Sequence, residues 1–305
     1  MIHNVSILFL SVFLESLPFL LLGSFISAII EEFMDGETIS KLIPSNVFFG
    51  SIIGIILGFF LPACDCAVIP ISKRLIKKKV PLNVAISFML SSPIINPVVL
   101  LSTYYAFYNT NKSLFYERIF LGIIVALIVG IIMGIIFRKK DVLKNGDSDT
   151  TCCHGHDCDD EFKELEKYSI HKDSHLVSIF KNTGIDLFEV VKFLIIGDLI
   201  ASIVQVVLPK SAIILFSNND ILSIIVLMMF AYLISLCSTS DSFVGKSLLS
   251  SFSASGILAY LILGPMIDIK NTIVLLGNYK SKFVFTFISL LFIVIFIFCM
   301  VVSII

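Results

Sequence analysis

Cys64 and Cys66 flank Asp65 between two prolines in LPACDCAVIPISKR (61–74). Pro62 and Pro70 each lack a backbone donor, so a helix through this stretch is interrupted. In an extended segment residues i and i+2 face the same way. The two thiols would then meet at one point, with Asp65 turned away or capping a half-helix. On a continuous helix they would diverge by about 200°. A second interruption stands at SSPIINPVV (91–99), where Pro93 and Pro97 flank Asn96, an amide that both donates and accepts. Non-helical backbone at membrane depth is tolerated only where protein or a water-filled cavity surrounds it. Both stretches are therefore expected to line a chamber.

Matching interruptions occur later in the chain. LCSTSDSFVGK (236–246) corresponds to the first, and brings Cys237 close to the Cys64/Cys66 position. LGPMIDIKN (263–271) corresponds to the second, with Pro265 on Pro93 and Asp268 on Asn96. Upstream, FLESLPFLLLGSFISAII (13–30) aligns with LFEVVKFLIIGDLIASIV (187–204), so Glu15 falls on Glu189 and Gly23 on Gly197. Duplicated apolar halves with Pro/Gly-interrupted segments at corresponding positions are the best sequence pointer to a transporter site. Pooled, Cys64, Cys66, Cys237, Asn96, Asp65, Asp241 and Asp268 make a soft-ligand site with acids beside it. A carboxylate inside a span costs roughly 2.5–3.5 kcal/mol on insertion scales and reads as functional by default. Glu15 and Glu189 fit either a proton relay or a hydrogen-bonded helix pair.

A separate motif, CCHGHDC (152–158), packs Cys152, Cys153, His154, His156 and Cys158 into one polar loop. Such density suits soft or borderline metals, Zn²⁺ or Cu(I), although the spacing is not that of a zinc finger. The loop is either a metal-ion site or a linker that meets metal incidentally.

The elements that must hold these residues are membrane helices. The chain has 305 residues, is 57% hydrophobic and only 15% charged, against about 25% in a soluble domain. Its mean hydropathy is +1.00. A net charge of −1 gives no basic surface for nucleic acid. No phosphate-cradling loop or dinucleotide fingerprint is present. No nucleophile–base pair is evident either, so an enzyme is not expected. The seven cysteines suit thiols facing a reducing compartment better than a disulfide framework.

About eight apolar stretches are long enough to span: 5–30, 47–72, 82–107, 118–137, 183–207, 221–245, 254–277 and 283–303. The expected fold is an all-α membrane protein of about eight transmembrane helices in two homologous four-helix repeats, with broken helices at the repeat interface. Its units are a first repeat (1–140), a cytoplasmic acidic Cys/His loop (141–180) and a second repeat (181–305). The basic runs KRLIKKK (73–79) and FRKKDVLK (137–144) belong in the cytoplasm, which puts both termini there and makes the repeats parallel. If a broken segment is re-entrant, the count changes and the repeats can be inverted.

On these motifs the chain resembles a predicted permease family that includes organoarsenical efflux permeases and other bacterial permeases. The matching residues are PACDCAVIPISKRLIKKKVPLNVAISFMLSSPIINPVVLLSTYYAF (62–107), with the family's C-x-C, V-I-P-like run, K-G-V-P-like turn and P-x-I-N-P motif. CSTSDSFVGKSL (237–248) and LGPMIDIKNTIVLLGNYK (263–280) match in the second half. The resemblance implies a multi-pass inner-membrane permease of about eight spans. In the arsenic branch it implies thiols that bind trivalent arsenicals for export. Carried onto this chain, these are Cys64 and Cys66, with Pro93, Asn96, Asp241 and Asp268 shaping the site. Many relatives have C-S-C-G where this chain has C-D-C-A, and Asp65 beside two thiols fits a divalent cation at least as well. Two functions stay open: efflux of a thiophilic solute (a trivalent arsenical or soft metal ion), or a membrane subunit or channel-like scaffold working with a partner membrane protein.

Overall fold

The computed structural model describes residues 2–33, 46–61, 65–78, 80–108, 110–137, 142–143, 175–207, 220–249 and 251–304. The first half contributes α1 (Ile2–Phe33), α2 (Val47–Phe60), α3 (Asp65–Lys77), α4 (Leu82–Ile95), α5 (Pro97–Phe107) and α6 (Lys112–Ile136). The second contributes α7 (His175–Val207), α8 (Asp220–Ile234), α9 (Ser238–Leu248), α10 (Ala254–Met266), α11 (Ile269–Asn278) and α12 (Ser281–Ile304). Each half runs long, then four short, then long.

α4 and α10 form the centre and pack on one another. α4 is apolar on all sides and every residue of it is buried, as expected of a helix without a polar face. Both end in a capped break. Asn96 leaves helical geometry at φ −57°, ψ 133°, and its Oδ1 accepts from Val98 N at 3.0 Å. Pro97 opens α5, where its missing N–H would have had no helical partner anyway. Asp268 does the same for α11, its Oδ1 accepting from Asn271 N at 2.6 Å. These side chains satisfy donors that would otherwise be orphaned. Pro93 and Pro265 lie inside α4 and α10, so the chain breaks within a turn after each proline rather than at it.

The short helices double back. α2 runs parallel to α4: Asn83 Nδ2 donates to Val47 O at 2.8 Å near one end, and Ser92 Oγ to Leu61 O at 3.4 Å near the other. Gly50, Gly54 and Gly58 make this approach possible, facing Asn83, Val84 and Ser91 in turn. Small residues at four-residue spacing let helix backbones approach closely. α3 then returns antiparallel to α4, with Ser72 beside Met89 and its last turn close in sequence to the start of α4. Helices α8 and α9 repeat the pattern. Ser253 Oγ donates to Ser223 Oγ at 3.1 Å, which aligns the starts of α8 and α10, and Tyr260 of α10 reaches Asp241 of α9.

This changes the expected topology. Among the described residues, five helical segments are long and apolar enough to cross a membrane: Val5–Ile26, Leu82–Phe107, Lys112–Ile136, Ala254–Asn278 and Ser281–Ile304. α2 and α8, with 14 and 15 residues, reach about 21–22 Å at 1.5 Å per residue. That is short of the roughly 30 Å hydrocarbon core. The crossings expected at 47–72 and 221–245 are therefore hairpins whose two ends share a face. Hydropathy is the same for a crossing and for a hairpin buried in protein, which is why the sequence reading counted them as spans. The faces follow from contacts at the ends. Lys280 N donates to Val142 O at 2.9 Å, setting the α11–α12 junction beside the chain just past α6. Ser303 Oγ donates to Asp220 Oδ2 at 3.3 Å, at the far end of α12. Val142 and Asp220 thus stand beside opposite ends of α12.

A methyl group at Gly54 would sit 2.4 Å from the Val84 carbonyl and 3.2 Å from Phe88 N, which are backbone atoms that cannot step aside. Gly54→Ala is expected to destabilise the fold by about 1–3 kcal/mol, seen as a lower melting temperature in detergent.

Candidate functional site

Half-helices α5, α9 and α11 each start at a buried residue, Asn96, Ser238 and Asp268, and α3 starts after the first break. Each presents the partial positive charge of its N-terminus there. Pairs of them are exchanged between halves. α3 packs on α11, with Ser72 Oγ and Tyr279 OH sharing a hydrogen bond at 2.8 Å. α9 packs on α5, with Thr103 Oγ1 and Ser242 Oγ at 3.0 Å. Pro93 and Pro265, one from each half, line the same narrow cavity together with Met89, Met266, Ile69 and Asn271. It has room for about one water molecule. Pro93 and Pro265, which mark the two breaks, therefore lie at one place.

Around this meeting point lie two clusters of ionisable residues. In the first, Asp241 sits in the first turn of α9 and is 2% exposed, its Oδ1 accepting from Tyr260 OH at 2.9 Å. Its Oδ2 takes no hydrogen bond, and it borders Gly264, whose added Cβ would stand 3.0 Å away. Arg118 of α6, fully buried, donates to Thr103 Oγ1 at 2.5 Å and Ser242 Oγ at 2.7 Å, and lies within electrostatic reach of Asp241. In the second, Asp268 caps α11 and is fully buried, with Lys270 two residues on and Asp198 of α7 within reach of both. The α7–α11 contact is made close by Gly197, against which the Lys270 backbone packs. Thr272 Oγ1 donates to Asp268 O at 2.7 Å and accepts from Tyr232 OH at 3.1 Å. Asp241 also feels the charges of Asp268 and Lys270, which makes the two clusters one field. Between α8 and α9, Ser235 holds a left-handed backbone at φ 50°. A non-glycine residue there costs of order 1–3 kcal/mol and persists only where its surroundings fix it.

The other expected residues are distributed as follows. Asn96, 7% exposed, is spent on its cap. Cys237 is the N-cap residue of α9, half-buried, with its Sγ 3.4 Å from Thr239 Oγ1. Cys64 lies outside the described residues. Asp65 and Cys66 open α3, and their side chains also lie outside the description. The extended geometry expected through Cys66 does not hold, because the helix has already started at Asp65. Glu15 is exposed on α1, and the side chain of Glu189 is outside the described structure. Cys152, Cys153, His154, His156 and Cys158 are likewise outside it. Sequence reasoning missed Arg118, Lys270, Tyr260, Ser242 and the two methionines, and it gave Asp198 no role. A lone base inside an apolar run was the available signal for Arg118 and Lys270, since such charges are costly wherever they occur in a span.

Removing one partner of a buried charge pair costs about 3–5 kcal/mol, because the other charge is left uncompensated. Arg118→Met is expected to lower stability by an amount of that order, and Asp241→Asn placed on top of it to restore part of the loss. A double-variant cycle from denaturation in detergent checks this, and simple additivity would argue against coupling.

Residues 1–304 match the family described as "Predicted permease". A protein from Streptococcus mutans serotype c, which carries the name of a two-component membrane permease complex subunit, is 34% identical over 297 residues, covering 97% of this chain and 94% of that protein. UPF0718 protein YcgR of Bacillus subtilis (strain 168) is 36% identical over 282 residues, covering 92% of this chain and 91% of that protein. No solved structure matches. With its helix breaks at the family's motifs and its whole length matched, the chain belongs to this family of membrane permeases.

Proposed function

We propose that this permease is a secondary transporter that exports a thiophilic small solute, a trivalent arsenical or soft metal ion, through the chamber between the two hairpins. The observation that carries the proposal is the meeting of Pro93 and Pro265 in one cavity, with Asp241, Asp268, Lys270 and Arg118 buried around it. Broken helices with charged residues at mid-depth, drawn from two related halves, are how secondary transporters build a solute site. In this reading each half is three crossings and one re-entrant hairpin, and the two halves are inverted repeats. The crossings are α1, α4–α5, α6, α7, α10–α11 and α12. Cys64, Cys66 and Cys237 supply sulfur to the solute, and Asp65, Asn96, Asp241 and Asp268 set its charge and orientation. Bound soft cation displaces thiol protons, so release is favoured where protons are plentiful. Glu15 and Glu189 are further candidates for carrying protons.

Lys73, Arg74, Lys77, Lys280 and Lys282 lie towards the face of residues 142–143, so the positive-inside rule makes that face cytoplasmic. The C-terminus is then external, in the inner membrane of the cell. Single cysteines introduced at Lys282 and Ser303 are expected to react with an impermeant thiol reagent from opposite sides of the membrane. Labelling of both from one side would reject the inverted arrangement.

A second reading has its own support. The Streptococcus mutans relative is named as one subunit of two. On this chain α5 and α6 expose Tyr104, Tyr105, Tyr108, Tyr116 and Phe120, several of them in ring contact with one another. In this reading a partner membrane protein is needed, and the Cys/His loop (Cys152, Cys153, His154, His156, Cys158) docks it or senses a metal ion.

Purified full-length chain in liposomes, assayed with methylated arsenite, Zn²⁺, Cd²⁺ and Cu⁺, separates the two. Flux from the chain alone that falls to background in Cys64→Ser/Cys66→Ser supports the transporter. No flux with any of these solutes favours the partnered subunit.

A further inference from the structure

The buried charges of the described residues do not cancel. Among those residues, the buried carboxylates and bases are Asp198, Asp241 and Asp268 on one side and Arg118 and Lys270 on the other. Three carboxylates face two bases in the low-dielectric interior of a membrane protein, where an uncompensated charge is expensive.

The three acids are not equally provided for. Asp241 lies in the first turn of α9 and accepts from Tyr260 OH. Asp268 caps α11 and accepts from Asn271 N. Both therefore have a donor and a helix N-terminus, which together favour an anion. Asp198 has neither. It lies inside α7, far from that helix's N-terminus, it is fully buried, and both of its carboxyl oxygens lack a hydrogen-bond partner. The groups facing it are Lys270 and Asp268 of α11. Tyr232 of α8 stands within reach of Asp268. The described ionisable side chains of α1, His3 and Glu15, are exposed, as is Lys192 on α7 itself.

We infer that Asp198 is a proton-binding site holding one exchangeable proton, with Lys270 shared between it and Asp268. Protonation turns the Asp198 carboxylate into a neutral carboxyl and leaves Lys270 to Asp268. Release returns the carboxylate and draws Lys270 back towards α7. The contact that moves is α7 against α11, where Gly197 lets the Lys270 backbone pass close. Because α11 begins at the Asp268 break, a shift of Lys270 is felt at the cavity. Its use in transport rests on the transporter reading above, but its measurement does not, because no solute is needed.

The test is infrared absorption of the full-length protein in liposomes, in sodium-free buffer at neutral pH, counting neutral carboxyl groups by their carbonyl band. The wild type is expected to show one buried neutral carboxyl. Asp198→Asn should lose it, and Asp220→Asn, at the membrane edge, should keep it. Lys270→Met leaves three acids against one base and should raise the count to two. No buried neutral carboxyl in the wild type, or an undiminished band in Asp198→Asn, overturns the inference. If Asp198→Asn does not fold, Asp198→Glu decides: the band should persist at a shifted frequency, and an unshifted band overturns the inference. Loss of transport with these counts intact would instead reject the transporter reading and leave the proton site standing.

Discussion

Every interior feature of this protein answers one constraint: a backbone that leaves the helix at membrane depth must find its hydrogen bonds within the protein. At Asn96 and Asp268 the answer is a side chain that caps the next half-helix. The caps are buried because α4 and α10 lie at the centre, wrapped by the other helices. Each break creates a helix N-terminus in the interior, and an N-terminus favours negative charge. Asp241 and Asp268 stand at two of them. A carboxylate that would be prohibitive on a lipid-facing helix is tolerable at these positions, so the breaks explain where Asp241 and Asp268 are, and Asp198 is the exception.

The second consequence concerns packing. A hairpin that enters part-way must be held by protein along its length, and there is no hydrophobic drive between helices in lipid to hold it. The first hairpin solves this with glycines on α2 that bring its backbone onto α4. The second uses Gly256 and Gly264 on α10 instead, against Ser223 of α8 and Asp241 of α9. The same close approach is reached with the small residue on opposite partners. The returning helices are then locked across the halves, α3 on α11 and α9 on α5, so neither hairpin can shift without disturbing the interrupted helix of the other half. The long helices break this reciprocity. α1 and α7 pack together, α1 on α3 and α7 on α11, and neither lies extensively along α5 or α9. The aromatic face of α5 and α6 is what that leaves open.

How much of this was legible in the sequence depended on residue chemistry with a local effect. Proline and a capping amide or carboxylate at 93–97 and 265–268 marked the breaks to within a few residues, because they act through backbone donors nearby. The membrane class was equally plain from composition. The hairpins were not, since apolarity reports burial and not direction. Only the four-residue glycine spacing at 50, 54 and 58 hinted that α2 lies against another helix, and it names neither the partner nor the sense. Whether such a segment is counted as a crossing or as a hairpin decides the side assigned to every later element, the C-terminus included. Arg118 and Lys270 escaped notice for a different reason: bases in such chains are usually orientation signals at the membrane surface, and the apolar residues around these two were the only local sign of burial.

The two halves share an architecture but not a charge. Where the second half has Asp268 and Lys270 at its break, the first has Asn96 and Val98. Where α10 carries Tyr260 to serve Asp241, α4 carries only apolar or neutral polar side chains. The adjacent pair Cys64 and Cys66 belongs to the first half alone, with Cys237 as a single counterpart. In the reading proposed above, the two hairpins approach from opposite faces and the halves have diverged in their side chains. In sequence the paired thiols belong to the first half, and the buried Asp198, Asp241, Asp268 and Lys270 belong to the second. A solute between the tips would touch both, so its arrival and the state of the buried charges would be linked through contacts a few residues long.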